Sequence, residues 1–342
     1  MNSTCIPDIG YFDSPEFLSL VLHINTTIST PIHLFGFYCI IWKTPMAMKS
    51  AKLYLLNLHI WVVVFDYSLS TLTIPFLLLP HFAGYPLGIL SWFDVSVLLQ
   101  ITMVFIFVGN LVISIVAIFE SRFYTVCEFT WKPYWKRWRR IGIIYCHIIV
   151  SCLTLAFGFL APDQEAAKRN MFAKLPCLPQ YIYEANNFVL CEDCTYHLLC
   201  LVGVGLSAFF MGISFAFFLM WNAVAQLKSR TMSHKTFQLQ KAFLIALGVQ
   251  VLVPICSFAL PAIYLWIALM LYYYNQAFTN FAVCSLSLHG FLSSMVMTLV
   301  HRPYRETLFS LFPKKMSARS EENPIKRLAR YNRDVSVGVI TS

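Results

Sequence analysis

Charge is what this 342-residue chain has little of: 12% of its residues are Asp, Glu, Lys or Arg and 58% are hydrophobic, with a mean hydropathy of +0.66. Soluble domains carry about 25% charged residues. Across the 39 residues from Leu53 to Ser91 the one acidic or basic side chain is Asp66. That pattern excludes a water-facing globule. No basic n-region with a small-residue cleavage site opens the chain, so no cleaved signal peptide is expected and the first span should insert directly. No nucleophile motif or glycine-rich phosphate loop occurs, so neither an enzyme nor a cofactor is expected. The eleven cysteines make no disulfide framework, because Cys39, Cys127, Cys146, Cys152, Cys256 and Cys284 fall in or beside apolar runs, where Cys behaves as a small hydrophobe.

What the chain does have is the same apolar run, repeated. A hydrocarbon core requires about 20 apolar residues per helix. Seven segments qualify, at about 17–42, 53–79, 92–119, 141–161, 197–221, 242–269 and 277–300. Each must be helical, since an isolated strand leaves its backbone unpaired in lipid. Of the 25 Lys and Arg, 22 follow spans one, three, five and seven, while Lys168, Arg169 and Lys174 lie on the other side. Basic residues concentrate in cytoplasmic loops, which places the N-terminus outside and the tail inside. The expected fold is an all-α membrane protein, a seven-transmembrane-helix bundle. Residues 1–16 form an extracellular N-terminus, 17–313 the bundle with a membrane-surface helix, and 314–342 a basic cytoplasmic tail. The net charge of +9 then faces anionic lipid, not nucleic acid. The run Trp131-Lys132-Pro133-Tyr134-Trp135-Lys136-Arg137-Trp138-Arg139-Arg140 reads as an interfacial belt against the bilayer.

Few residues stand out as machinery. Glu120-Ser121-Arg122 at the inner end of span three resembles the acid-arginine switch of rhodopsin-like receptors, a partly buried pair whose rupture is costly. A snorkelling Arg122 beside a solvated Glu120 would give the same spacing. Asp66 lies mid-span and is a functional candidate by its depth, with Asn110, Asn280, Ser285, Ser287 or His289 as partners. A protonated, hydrogen-bonded Asp66 without a switching role is the alternative. Pro254 and Pro261 are candidate kinks in span six. Tyr304, Leu308, Leu311 and Phe312 fall on one stripe of a short amphipathic helix after span seven.

Lys43-Thr44-Pro45, Leu55-Leu56-Asn57-Leu58-His59, Pro75-Phe76, Ala83-Gly84-Tyr85-x-x-Gly88, Pro176-Cys177-Leu178-Pro179, Ser233-x-Lys235-Thr236 and His301-x-Pro303-Tyr304-Arg305 occur in that order. The ordered set, from about Ser14 to Pro313, resembles the nematode serpentine receptors of class H. The resemblance implies a chemosensory G-protein-coupled receptor in the plasma membrane of sensory neurons, which takes a small-molecule ligand and a heterotrimeric G protein. On that reading the G protein meets Arg122, Arg137, Arg139, Arg140, Lys228, Arg230 and Lys235, and the ligand meets Met103, Ile106, Phe107, Tyr264 and Phe281 between the outer helix ends. The rival reading is a polytopic transporter or channel. Unlike rhodopsin-like receptors, residues 86–100 hold no cysteine, which leaves Cys177 to pair with Cys5, Cys191 or Cys194 or to stay free.

Two further patterns carry less. Cys191-x-x-Cys194-x-x-His197-x-x-Cys200 spreads around half a helix, so no metal is expected. Asn2-Ser3-Thr4 is a candidate glycosylation site, whereas Asn25-Thr26-Thr27 lies too far into span one to be modified. The charge asymmetry makes one direct prediction. An N-terminal epitope tag is stained on intact cells and a C-terminal tag only after permeabilisation; both tags stained on the same face would refute the topology.

Overall fold

The computed structural model describes residues 10–175, 177–228, 238, 248–249, 252–253 and 255–311. The sequence-derived features at Asn2, Cys5, Pro254, Arg230, Lys235 and the 314–342 tail lie outside them. The molecule is a seven-transmembrane-helix bundle. Among the described residues α1 (Pro15–Tyr38), α2 (Lys49–Tyr67), α3 (Val97–Val126) and α4 (Lys132–Gly158) are followed by two short helices, α5 (Gln164–Lys174) and α6 (Gln180–Glu184). Then come α7 (Thr195–Lys228), α8 (Leu260–Met270), α9 (Gln276–Val300) and α10 (Arg302–Ser310). Five helices are long and apolar enough to cross a bilayer: α2 with its extension, α3, α4, α7 and α9. α1 has the length but not the hydropathy, because its polar side chains Asn25, Ser29 and His33 turn inward and are buried. α8 is the C-terminal part of span six.

Caps explain several starts. Ser14 Oγ accepts from Phe17 N at 3.1 Å with Pro15 behind it, and Asn275 Oδ1 accepts from Phe278 N at 3.0 Å. Span four begins at Lys132, not near 141, so the aromatic-basic belt is helix and not loop. Pro133 does not prevent this, since the first helical turn needs no donor there.

Span two departs from expectation at its far end. The α-helix stops at Tyr67 and widens into a π turn over Ser68–Thr73. There Ser70 Oγ donates to Asp66 O at 2.7 Å and Thr73 Oγ1 to Ser68 O at 2.6 Å, so hydroxyls compete with the backbone ladder. Ile74, at φ 42°, then turns the chain out of the helix. Residues beyond it are strand, not span: β1 (Pro75–Leu77) pairs antiparallel with β2 (Phe82–Pro86), and β2 with β3 (Phe188–Cys191). A Cβ on Gly84 would sit 2.2 Å from Phe76 O, so only glycine lets β1 and β2 close. This sheet with α5 and α6 caps one end of the bundle around buried Phe76, Met171, Leu178, Ile182 and Val189.

The opposite end carries Lys43, Lys49, Lys52 and the belt, and α10 closes it. Tyr304 is fully buried, and its hydroxyl lies 2.7 Å from Thr44 Oγ1, which itself donates to Ile40 O at 2.6 Å. Two sequence motifs 260 residues apart are therefore one contact, tying span seven to the end of span one. Pro303 sits in the first turn of α10, and Arg305 Nη1 donates to Leu299 O at 3.1 Å. Tyr304→Phe and Thr44→Val should each lower the melting temperature of the detergent-solubilised protein. The double variant should melt no lower than the worse single one, because one hydrogen bond of about 1 kcal/mol is shared; additive losses would contradict this.

Candidate functional site

Three places hold the chemistry: a cavity under the cap, a polar knot at the bundle centre, and an ion pair at the basic end.

The knot forms around Asp66, 1% exposed. Its partners come from α1, which sequence reasoning missed. His33 Nε2 lies 2.7 Å from Asp66 Oδ2, and Asn25 Nδ2 donates to Oδ1 at 3.2 Å. His33 Nδ1 lies 2.8 Å from Ser294 Oγ on α9, and Asn25 Nδ2 also donates to Ser287 O at 3.1 Å. Three helices thus converge on one carboxyl. Gly290 makes the approach possible, since a Cβ there would fall 2.6 Å from the Asp66 side chain. The expected partners are engaged elsewhere. Asn110 donates to Ile106 O at 2.7 Å and Ser151 Oγ at 3.1 Å, and Asn280 to Phe12 O at 2.9 Å. His289 Nδ1 meets Ser257 Oγ at 2.9 Å, and the Ser287 hydroxyl donates to Cys284 O at 2.8 Å. Of the five expected partners only Ser287 touches the knot, and it does so through its carbonyl. The signal for α1 was its run of inward polar residues at Asn25, Ser29 and His33, spaced four apart as on one helix face.

The Asn57–His59 motif explains itself nearby. Asn57 Nδ2 donates to Ser114 Oγ on α3 at 2.7 Å, and His59 Nε2 donates to His33 O at 3.0 Å.

At the basic end Glu120 is buried but pairs with α4 instead of forming the expected bond within its own motif. Its Oε1 accepts from Arg139 Nε at 2.9 Å and Trp135 Nε1 at 2.6 Å, and its Oε2 from Arg139 Nη2 at 2.7 Å. The Arg139 guanidinium lies 4.2 Å from the Tyr124 ring centroid and 5.4 Å from that of Tyr54. The early start of α4 causes the difference, because it brings the belt back along α3. Arg139 is therefore occupied, with its side chain 10% exposed, whereas Arg137 and Arg140 are exposed. Lys228 is the last residue of α7.

Under the cap lies a cavity of about 540 Å³, within the range of roughly 300–1,000 Å³ usual for small-molecule sites. Its walls come from α2, the sheet, α3, α7, α8 and α9. None of Met103, Ile106, Phe107, Tyr264 or Phe281 lines it. α3 presents Ile101, Val104, Phe105 and Val108 instead, one residue, or about 100°, around the helix from Met103, Ile106 and Phe107. Phe107 faces Trp61, with ring centroids 6.2 Å apart, and Phe281 packs on Phe12 and Phe17. The Tyr264 hydroxyl lies 3.3 Å from Asn275 O. Pro261 sits buried at the start of α8, next to a π turn over Ile255–Ala259 that relaxes the ladder proline cannot join.

Cys177 is disulfide-bonded, and Cys191 and Cys194 bond to each other. The latter bond removes two of the four conceivable metal ligands, and no cluster of metal-binding side chains occurs among the described residues.

The comparisons with known proteins agree with this architecture. The family model for the serpentine-type seven-transmembrane chemoreceptor Srh matches residues 13–314. The Caenorhabditis elegans protein serpentine receptor class H-72 is 24% identical over 319 residues, 91% of this chain and 90% of that one. The crystal structure of squid rhodopsin superposes with a TM-score of 0.59 at 13% identity, covering 95% of this chain and 94% of the other, a likeness of fold.

The knot predicts a rescue. His33→Ala strands a buried carboxyl group without its partner and should lower the melting temperature of the purified protein. His33→Ala combined with Asp66→Asn should recover much of the lost melting temperature; no recovery would mean the pair is not coupled.

Proposed function

This chain belongs to the Srh family of serpentine seven-transmembrane chemoreceptors, and from that membership we propose that it binds a small molecule in the capped cavity and activates a heterotrimeric G protein at its basic end. The observation that carries the reading is the cavity of about 540 Å³, placed among six elements of a receptor-type bundle. The capped end faces outward and the basic end the cytoplasm, an orientation supported by the asymmetry of Lys and Arg. Residues 1–16 are then extracellular and 314–342 cytoplasmic, in the plasma membrane of a sensory neuron.

Agonist shifts the bundle only by binding the active arrangement more tightly than the resting one. The elements able to report on the cavity are those that line it and also bear the knot. Phe65 and Leu69 line the cavity beside Asp66 on α2, and Leu286 lines it beside Ser287 on α9. At the basic end the Glu120–Arg139 pair holds α3 to α4, and Arg122, Arg137 and Arg140 are the cationic groups offered to the G protein. A transporter would need a polar path through the bundle. Buried Val62, Phe65, Leu69 and Leu111 pack together below the cavity, which favours a receptor.

The test is a G-protein reporter cell expressing the chain, challenged with odorants and nematode-derived small molecules. Arg122→Ala should abolish the evoked response while surface expression stays normal. A full response in that variant, or solute flux through the purified protein, would sink the proposal.

A further inference from the structure

Among the described residues, the cavity walls bear no Asp, Glu, Lys, Arg or His. A charged ligand would leave its solvation without compensation, so the site suits an uncharged, largely apolar molecule. The polar side chains in its lining are Thr73, Tyr85, Gln100 and Trp266. Trp266 carries a donor only, and neither the Thr73 hydroxyl, which donates to Ser68 O at 2.6 Å, nor that of Tyr85 is a buried atom left without a partner.

Gln100 is different. It is 1% exposed, in the first turn of α3. Its Nε2 donates to Val95 O at 2.9 Å, and since a carbonyl only accepts, that bond fixes which way the amide faces. The Oε1 is left buried with no hydrogen-bond partner. An orphaned buried acceptor is unusual in a folded chain. Gln100 is one of the residues lining the apolar cavity, so a bound molecule that reaches its amide is able to supply the missing donor.

Resting on the ligand-binding reading above, the geometry points to Gln100 as the specificity-determining residue: the cavity takes neutral apolar molecules that carry one hydrogen-bond donor, such as a hydroxyl or an N–H, and Gln100 Oε1 accepts from it. Hydrocarbons and ethers of the same shape lack that donor and bind less well.

The test uses the full chain in lipid nanodiscs and two fluorescent probes of matched shape, 1-aminoanthracene with one N–H donor group and anthracene with none, after subtraction of empty-disc signal. The wild-type protein should prefer 1-aminoanthracene by about 2- to 12-fold, the equivalent of the net contribution of one neutral hydrogen bond. Gln100→Leu should bring the ratio to about one while anthracene still binds, and Gln100→Met, closer in shape, should do the same. Val104→Trp, which narrows the cavity, should weaken the binding of both probes. The inference fails if the wild type shows no preference or binds neither probe, if the preference survives in both Gln100 variants, or if Val104→Trp leaves binding intact. None of these readouts involves a G protein. A retained preference without any cellular response would therefore sink the receptor reading alone, and an evoked response without the preference would sink this one alone.

Discussion

A carboxyl group at the middle of an apolar bundle has no water around it, so the helices that enclose Asp66 must supply what water would. Desolvating an ionised side chain costs several kcal/mol unless it is paired and hydrogen-bonded. That constraint organises the centre of this molecule. It draws His33 and Asn25 from α1, brings the Ser287 carbonyl and the Ser294 hydroxyl of α9 into the same set, and requires Gly290 to leave the space. It also accounts for the low hydropathy of α1. A helix that crosses lipid with buried Asn25, Ser29 and His33 on one face is tolerable only where a neighbour presents the complementary groups.

The knot sits directly below the cavity and shares two walls with it, whereas the Glu120–Arg139 pair lies at the other end, separated by an apolar packing layer. The layer has its own small void of about 30 Å³, room for about one water, beside His59, His289 and Phe119. The Nε2 of His289 there has no partner. The physical warrant for coupling is that a molecule in the cavity would touch Phe65 and Leu286, the neighbours in sequence of Asp66 and Ser287. Asp66 is better placed for this than Glu120, whose carboxylate is already fully engaged by a bidentate arginine and an indole.

Much of the fold was legible in the chain because the bilayer enforces simple rules. Length and hydropathy located the spans, and span seven was placed within one residue. Failures came where side chains override the backbone pattern. Residues 74–79 are apolar enough to extend span two, yet hydroxyls at Ser68, Ser70 and Thr73 widen the helix and Ile74 turns it away. Span four starts early because Lys136, Arg137, Arg139 and Arg140 are good helix formers once Pro133 has its place in the first turn. The site was less legible. Asp66 announced itself by depth, but its partners depended on which helices pack together, and linear spacing does not reveal that. The cavity-lining face of α3 lies about 100° around the helix from Met103, Ile106 and Phe107, since counting outward from Arg122 gives depth along the helix and not which side faces inward.

The same limit explains how the cap holds without the disulfide that rhodopsin-like receptors place between span three and the following outer loop. That bond fixes the loop over the bundle. Here residues 86–100 contain no cysteine, so hydrogen bonds tie the connection before span three to the one before span five, beside the disulfides at Cys177 and Cys191–Cys194. β2, in the connection from span two to span three, pairs with β3, in the connection from span four to span five, through Phe82–Cys191, Ala83–Val189 and Gly84–Phe188. Gln164 adds a side-chain clasp, accepting from Val189 N and donating to Val189 O, both at 3.0 Å. A three-stranded sheet needs a hydrophobic face to be stable, and Phe76, Ala83 and Val189 supply it by burial against α5 and α6. The Ala83-Gly84-Tyr85 and Pro75-Phe76 motifs are therefore the parts of the roof itself: Gly84 lets the strands meet, Phe76 seats them, and Tyr85, 5.1 Å from the Phe76 ring, lines the cavity below.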